Sequence, residues 1–249
     1  MGKTSKQYLR AITASIFSLL LLFSCEKEEE NVQPSVQATT GTIEGYLIAM
    51  AQKQYLPSSN NPTGYVTGYG EGGLAYFYDT LTWSTIDAGI VKCENRTFGK
   101  HYSSLDSSTV IYGDTSDSSP FINLPVDWSV TGNKNVPTIN VSVGIGLPYI
   151  SEPLVDTVDI SKPFTLTCDT MTNIDSILFT TNWDPNRISQ PGTMKSVTYT
   201  PADMADMASY VPGYFHVFIH AYRDTIISIN GRSYLFRNQY SAIKEIWVK

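Results

Sequence analysis

The chain has 249 residues, of which 42% are hydrophobic and 16% are charged, and its net charge is −6. Globular proteins average about 25% charged residues. This chain has fewer charged residues and instead contains 26 serines and 26 threonines. Hydroxyl, aromatic and β-branched residues favour pleated strands, so the composition argues against a helical bundle, a coiled coil and a disordered chain. The negative net charge argues against a nucleic-acid partner.

The first 24 residues have the pattern of a signal peptide. Lys3, Lys6 and Arg10 precede an apolar run at 11–22. A run of this length fits the hydrophobic region of a signal peptide, whereas a membrane-spanning helix needs about 20 apolar residues. We therefore expect residues 1–24 to direct export and not to belong to the fold.

The signal ends in Leu22-Phe23-Ser24-Cys25, which resembles the lipobox of bacterial lipoproteins. That motif has a branched aliphatic residue three positions before the cysteine and a small residue directly before it. Phe23 departs from the smaller residue that is usual between them. The resemblance implies lipidation of Cys25, with acyl chains that hold the protein on a membrane. The alternative is an ordinary signal peptide that is cleaved near Ser24 and leaves Cys25 as a free thiol.

A polar tether follows, from residue 25 to residue 41. Residues 26–30 read EKEEE. Acidic residues directly after a lipidated cysteine resemble the export signal of surface lipoproteins of Bacteroidetes-type bacteria. This resemblance implies an outer-membrane protein that is exposed at the cell surface. A solvated acidic spacer on a protein of the periplasmic leaflet is the alternative.

Residues 42–249 predict an all-β fold, because short apolar runs alternate with turn residues. The predicted strands are 42–50, 73–79, 86–94, 108–113, 124–131, 137–143, 155–160, 163–168, 175–182, 194–199, 213–223, 225–230, 233–238 and 242–248. Short strands with polar turns are typical of β-sandwiches, so we predict two Ig-like antiparallel sandwiches, over 42–147 and 148–249. A cluster of turn residues places the boundary near 146–152. One larger sandwich is the alternative.

Three local patterns refine this prediction. Asn230-Gly231 between two β-prone runs predicts a type I′ hairpin. The sequence Thr-Pro-Ala-Asp at 200–203 predicts the start of one short helix. The strand 213–223 is apolar on both faces, which predicts a central strand. Tyr214, which follows a turn helix, resembles the corner tyrosine of Ig-like domains.

Three segments resemble a family of Bacteroidetes-type surface lipoproteins with Ig-like β-sandwich domains. They are AYFYDTLTWSTIDAGIVKCENRTFGKHY (75–102), VDWSVTGNKNVPTINVSV (126–143) and INGRSYLFRNQ (229–239). The resemblance implies a lipid-anchored protein with two β-sandwich domains. This family has no assigned activity, so the resemblance transfers no catalytic residue.

The histidines and cysteines give no sharp chemical signal. On a strand, His216 and His220 would lie about 13 Å apart, too far to share one metal ion, so we expect both to be packed or hydrogen-bonded. His101 is expected to be solvated in a polar turn. Cys93 and Cys168 permit one disulfide or remain unpaired. We predict no metal ligand, no cofactor and no catalytic residue.

Several other motifs have a plain structural interpretation beside the chemical one. A glycosidase needs two acids that flank the sugar bond. The candidates are Asp127 beside Trp128 and Asp184 beside Trp183, and acids that cap turns are the alternative. The oxygen-rich stretch 114–117 lacks the glycine and glutamate of an EF-hand. The glycine-rich stretch 68–73 lacks the lysine of a phosphate loop and predicts a mobile surface loop.

Aromatic residues provide the one signal of ligand binding. Trp83, Trp183 and the many tyrosines could stack on the apolar face of a sugar ring, although aromatic residues also fill sandwich cores. The tyrosines that cluster in one stretch are Tyr46, Tyr55, Tyr65, Tyr69, Tyr76 and Tyr78. Trp128 and Trp247 lie in predicted strands and are expected in the core.

Five Asp-Ser/Thr-aliphatic triplets resemble acceptor sites of Bacteroidetes-type protein O-glycosylation. They begin at Asp79, Asp156, Asp169, Asp175 and Asp224. Ordinary strand starts are the alternative interpretation of these triplets.

The expected function is that of a lipid-anchored surface module that binds a glycan or a protein partner without catalysis. The alternatives are a structural or adhesive envelope protein without a small ligand, and a hydrolase with an unrecognised site. An exposed aromatic platform with a polar rim favours the first function. An exposed edge strand favours the second, and two converging carboxylates in a cleft favour the third. The sequence alone does not identify the ligand-binding residues.

Overall fold

The protein is all β in the residues that the structure describes. The structure is a computed structural model that describes residues 42–58, 61–102, 109–114, 122–181, 188–209 and 211–249. Strands joined by turns make up these ranges, together with one short 3-10 helix. The all-β class predicted from the sequence is therefore confirmed.

The strands are numbered in chain order. They are β1 (Ile43–Ser58), β2 (Asn61–Phe77), β3 (Val91–Cys93), β4 (Arg96–Thr97), β5 (Gly99–Tyr102), β6 (Val110–Gly113), β7 (Val126–Val130), β8 (Ile139–Val143), β9 (Tyr149–Ile150), β10 (Thr157–Val158), β11 (Phe164–Thr167), β12 (Met171–Thr172), β13 (Ser176–Thr181), β14 (Ile188–Pro191), β15 (Ser196–Tyr199), β16 (Gly213–Ile229) and β17 (Arg232–Val248). The 3-10 helix spans Ala202–Ser209.

Long strands form the middle of the main sheet. This nine-stranded sheet has the order β14-β13-β16-β17-β1-β2-β6-β5, and β10 pairs in parallel with the end of β17. A four-stranded sheet has the order β4-β3-β7-β8, and two small sheets pair β11 with β15 and β9 with β12. The pairings between neighbouring short strands are antiparallel, as in β7 with β8.

The described residues divide into two compact units, each made of three stretches. Unit 1 contains the described residues up to Ala49, Gly70–Gly144 and Thr225–Arg237, and unit 2 contains Met50–Tyr69, Ile145–Asp224 and Asn238–Lys249. One crossing between the units, from Gly144 to Ile145, lies beside the predicted boundary at 146–152. The other crossings lie inside β1, β2, β16 and β17, so each of these strands contributes residues to both units.

Unit 1 has a core between the main sheet and the four-stranded sheet. Phe77 of β2 contacts the Tyr112 ring with a centroid separation of 6.1 Å and the Tyr234 ring with a separation of 6.2 Å. The Phe98 ring contacts Trp128 of β7 at 5.7 Å. A Cβ atom at Gly73 of β2 would overlap the Phe98 ring. Phe98 therefore fills the space between the two sheets, and a larger residue at position 73 would displace it.

Unit 2 has its own apolar core. The main sheet contributes Ile177, Phe179, Val217, Ile219, Ala221, Tyr240, Ala242 and Ile246, and the smaller sheets contribute Ile150, Leu166 and Tyr199. Burial of one such large side chain stabilises a fold by about 1.5–3 kcal/mol. Side chains from opposing sheets thus meet in one core, which is the packing of a β-sandwich.

The buried Lys244 of β17 makes ion pairs and a hydrogen bond with a loop of unit 2. The Lys244 ammonium lies 2.7 Å from Glu152 Oε1 and 2.6 Å from Asp156 Oδ1, and it donates to the Pro153 carbonyl at 3.0 Å. A lysine is almost never buried unless it is paired. These contacts explain how Lys244 is accommodated.

Two local predictions are confirmed. Asn230 and Gly231 have φ values of 53° and 78°, the left-handed values that a type I′ turn requires. The 3-10 helix begins directly after Thr200 and Pro201, as the Thr-Pro-Ala-Asp pattern predicts. The Thr200 amide and hydroxyl both donate to Asp203 Oδ2 at 2.7 Å.

Three predictions about strands and loops are wrong. The segments 213–223 and 225–230 form one continuous strand, β16, and the segments 233–238 and 242–248 form β17. Polar residues between the predicted segments indicated turns, but their backbones remain in the sheet. The stretch 68–73 belongs to β2 and is not a loop. Gly73 within this stretch has no side chain, which leaves room for the Phe98 ring. The Ig-like character of the two sandwiches stays a prediction.

Candidate functional site

Four aromatic side chains form a surface cluster in unit 1. The Tyr46 and Tyr76 rings stack with centroids 4.9 Å apart, and Tyr78 meets Tyr76 edge-to-face at 5.5 Å. The Trp83 ring contacts Tyr78 at 6.4 Å. Tyr46 lies on β1 and Tyr76 on the neighbouring β2, and Tyr78 follows two residues later. Side chains two residues apart share one face of a strand, which places these tyrosines together.

Trp83 is carried by a tight turn after β2. The amide groups of Leu81 and Trp83 donate to the side chain and carbonyl of Asp79 at 2.8 and 2.7 Å, and the Asp79 amide donates to the Ser84 carbonyl at 2.9 Å. Trp83 has a φ of 55°, a left-handed value that costs an L-residue about 1–2 kcal/mol. The turn therefore holds Trp83 in a strained conformation. Its side chain is 62% exposed, and that of Leu81 is 90% exposed.

A cleft of about 270 Å³ opens beside this turn. Its lining residues are Glu44, Tyr78, Asp79, Thr80, Leu81, Ile86, Asn135 and Arg232. The Arg232 Nη1 atom lies 3.1 Å from Glu44 Oε2 and donates to the Asn135 carbonyl. Arg232 is the first residue of β17 and Glu44 is the second residue of the neighbouring β1, so the pairing of these strands brings the two charges together. The cleft thus combines aromatic, acceptor and donor groups.

A polar network holds the loop that carries Asn135. The Asn133 side chain accepts hydrogen bonds from the amides of Asn135 at 2.8 Å and Val136 at 3.0 Å, and it donates to the Asp87 carbonyl. The Asp87 carboxylate accepts from the Tyr112 hydroxyl and the Lys100 ammonium, each at 2.6 Å. Burial alone disfavours ionisation of Asp87, but these hydrogen bonds outweigh it and lower the pKa to about 2. The Asp87 backbone carbonyl therefore supports the Asn135 side of the cleft, while Tyr112 and Lys100 hold the charged Asp87 carboxylate in place.

Tyr234 lies next to the Glu44–Arg232 pair and is 1% exposed. Burial raises its pKa to about 12, and the nearby Glu44 charge acts in the same direction. Its hydroxyl is therefore neutral at physiological pH.

The histidines of β16 lie on a strand and contact neighbouring side chains. His220 is 3% exposed, and its Nδ1 lies 2.8 Å from the Ser241 hydroxyl. His216 Nε2 lies 3.6 Å from Glu245 Oε2, and its pKa is lowered by burial despite the opposing effect of Glu245. Among the described residues, no group of three or more His, Cys, Asp or Glu is placed to hold a metal ion.

His101 differs from its sequence-based prediction. It lies in β5 rather than in a polar turn, and its Nε2 atom is buried. Neighbouring glycines make room for the ring, since a Cβ at Gly99 would lie 3.3 Å from Nε2. The prediction of a solvated histidine is therefore wrong.

Cys93 and Cys168 are free, buried thiols in the structure. Burial raises the pKa of Cys93 far above its usual range and that of Cys168 to about 11. The thiolate is the nucleophilic form of cysteine, so neither thiol is activated. Cys25, the predicted lipidation site, lies outside the described residues.

The acid–tryptophan pairs do not form a site in the part of the chain that the structure describes. Asp127 is exposed, whereas the adjacent Trp128 is 2% exposed and points to the opposite face of β7, in the core as predicted. Trp183 and Asp184 lie outside the described residues.

The oxygen-rich stretch 114–117 is described only at its first residue. Asp114 pairs with Arg96 at 2.7 Å, and the rest of that stretch lies outside the described residues.

A second exposed aromatic pair lies in unit 2. Tyr214 of β16 and Trp247 of β17 meet edge-to-face, with centroids 4.9 Å apart. Tyr214 is 59% exposed and Trp247 is 37% exposed, so the core position predicted for Trp247 is wrong. Trp247 lies at the end of β17, where its backbone pairs with Thr157.

Sequence reasoning identified the tyrosines and Trp83 as candidates but missed the polar half of the cleft. Glu44, Asn135 and Arg232 are far apart in the chain. They meet because β1 lies beside β17 and because Arg232 donates to the Asn135 carbonyl. The one available signal is that Arg232 directly follows the Asn230-Gly231 turn, which fixes its place at the start of a strand.

No protein-family model matches the chain, and no curated protein shows significant sequence similarity to it. Within the described ranges, no helix has the length and apolar character needed to cross a membrane.

Proposed function

We propose that the protein is a lipid-anchored surface protein whose unit 1 cleft binds a glycan without catalysis. One observation carries the proposal: Trp83 is held, exposed and strained, against Tyr78, which lines a cleft together with charged and amide-bearing residues. Exposed large apolar groups beside polar groups mark binding surfaces. Strain that the fold stabilises is also common at ligand sites.

The chemistry of the cleft matches that of a sugar ring. A pyranose has apolar faces of C–H groups that pack on an aromatic ring, and hydroxyl groups at its rim that both donate and accept hydrogen bonds. Trp83 and Tyr78 offer the aromatic surface. Glu44 and the Asn135 carbonyl are acceptors, and Arg232 is a donor. Preformed groups of this kind cost little ordering entropy on binding.

The aromatic surface is tested by replacing Trp83 in the full chain, purified in detergent and applied to a glycan array. We expect Trp83→Ala to weaken binding by about tenfold or more, because exposed tryptophans often dominate binding free energy. Tyr214→Ala is the matched control, since Tyr214 is similarly exposed and also in edge-to-face contact with another ring. Equal losses in the two variants, or a wild type that binds no glycan, would contradict the proposal.

The lipid anchor is tested separately at Cys25. The basic residues, the apolar run and the cysteine have the order of a lipoprotein signal. Cys25→Ala should leave the protein without acyl chains, so we expect it to move from the detergent-rich phase to the aqueous phase in a phase-separation experiment. A variant that partitions like the wild type would show that Cys25 is not the lipidation site.

A glycoside hydrolase is the second candidate, because Glu44 and Asp79 both line the cleft. Glycosidases use two carboxyl groups that flank the scissile bond. Here, however, Glu44 is paired with Arg232, and Asp79 accepts the amide hydrogen bond of its own turn. Release of reducing ends from glycans that bind the array, lost in Glu44→Gln, would favour hydrolysis over binding.

A further inference from the structure

We infer that the unit 1 cleft selects a single neutral sugar ring and discriminates against sugars that carry a carboxylate. This inference rests on the proposed function and names the ligand class of the same cleft. It follows from the charges that line the cleft, from the state of its arginine and from its size.

The lining residues carry an excess of negative charge. Glu44 and Asp79 are carboxylates, and Arg232 is the one cation among the residues that line the cleft in the described structure. The chain as a whole has a net charge of −6. A carboxylate brought into the cleft would therefore meet like charge at short range, where screening by salt is incomplete.

Arg232 is already engaged by groups of the protein. Its Nη1 atom lies 3.1 Å from Glu44 Oε2 and donates to the Asn135 carbonyl. Recognition of a sugar carboxylate by arginine is strongest when two N–H groups face the ligand. An incoming carboxylate would have to compete with Glu44 for the guanidinium. Lys134 precedes Asn135 in the chain, but its side chain is exposed and is not one of the lining residues.

The acceptors of the cleft suit hydroxyl groups. The Asp79 and Glu44 carboxylates and the Asn135 carbonyl accept hydrogen bonds and cannot donate them. A neutral sugar has several hydroxyl donors for these oxygens. A uronic acid has a carboxylate in place of one hydroxymethyl group. A carboxylate only accepts hydrogen bonds, so it would face protein oxygens that also only accept them.

The volume of the cleft suits one sugar ring. The cleft measures about 270 Å³, whereas pockets that enclose drug-sized ligands measure about 300–1,000 Å³. A longer glycan would place one ring in the cleft and pass its neighbours over exposed residues such as Trp83 and Leu81.

The test compares matched pairs of hexose and hexuronic-acid oligosaccharides, equal in length and linkage, for binding to the full chain. We expect the wild type to bind the hexose form at least tenfold more tightly at low salt. Glu44→Gln removes one carboxylate and releases Arg232, so we expect this ratio to fall severalfold through tighter binding of the hexuronic acid. Glu245→Gln makes the same chemical change in unit 2 and should leave the ratio unaltered.

A second measurement uses the wild type alone and does not depend on how the variants fold. Raising the salt concentration screens the carboxylates, so the preference for the hexose form should shrink as salt is added. Tighter binding of the hexuronic form by the wild type, or equal ratios in the wild type and Glu44→Gln, would overturn the inference and leave glycan binding intact. Binding of neither form across the array would overturn the proposed function together with the inference.

Discussion

Two exposed aromatic pairs among the described residues have similar rings but lie on different kinds of backbone. Trp83 and Tyr78 in unit 1 meet at 6.4 Å, and Tyr214 and Trp247 in unit 2 meet at 4.9 Å. Trp83 is carried by a turn in a left-handed conformation, whereas Tyr214 and Trp247 are carried by paired strands. The first pair borders a cleft with charged lining residues.

The comparison shows why exposure alone does not identify a binding site. Successive side chains of a strand point to opposite faces of the sheet. An aromatic residue on a strand can therefore be exposed without backbone strain. Trp83 is exposed at the expense of backbone strain, which the hydrogen bonds of the turn offset. The strained residue is therefore the better candidate for a ligand contact.

The larger of two expected effects concerns the free energy of unfolding. Both Trp83→Ala and Trp83→Gly remove the indole, but alanine keeps the cost of a positive φ and glycine does not. We expect Trp83→Gly to be about 0.5–1 kcal/mol more stable than Trp83→Ala. At Tyr214, within β16, glycine loses more chain entropy on folding, so Tyr214→Gly should be about 0.5–1 kcal/mol less stable than Tyr214→Ala.

Urea denaturation of the four variants measures both differences. The opposite sign at the two positions is the informative result, because the loss of an aromatic ring cancels within each pair. If the glycine–alanine stability difference has the same sign at both positions, Trp83 is not strained in solution. The backbones that carry Trp83 and Tyr214 would then not differ in strain.

A smaller effect is expected from pH in unit 2. Burial lowers the pKa of His216 from its usual 6.5, against the opposing effect of Glu245. The neutral form is thus favoured in the folded state, so its contribution to stability is complete above about pH 6.5 and decreases as the pH falls through the lowered value. His216→Gln should reduce this acid-induced loss of stability.

The indole N–H signals in NMR spectra provide the local measurement. Trp247 lies two residues from Glu245 and contacts Tyr214, so we expect its signal to move as His216 titrates. The Trp83 signal should stay constant in that step. A common shift of both signals, or a titration unaltered in His216→Gln, would contradict the assignment of this effect to His216.

Much of the fold could be predicted from local chemistry. The Asn230-Gly231 turn and the helix start after Thr200 depend on neighbouring residues, and both were predicted correctly. The lengths of β16 and β17 could not be predicted, because polar residues inside a strand look like turn residues until their sheet neighbours are known. Gly73 illustrates the same limit, since only the position of Phe98 explains the glycine.

The site was predictable in its aromatic half. Period-two spacing places Tyr76 and Tyr78 on one face, whereas Tyr46 joins them because β1 lies beside β2. The pairing of Glu44 with Arg232 depends on β1 lying beside β17, a contact between the two ends of the folded chain. One sequence has no local signal for such a contact.

The sharing of long strands between the units also constrains how such a protein can arise. Neither unit corresponds to one continuous stretch of chain, because β1, β2, β16 and β17 each contribute residues to both. A recombination event that copies one contiguous gene segment cannot transfer one unit without fragments of the other. Duplication and shuffling would therefore act on the pair, and the cleft of unit 1 would be inherited together with unit 2.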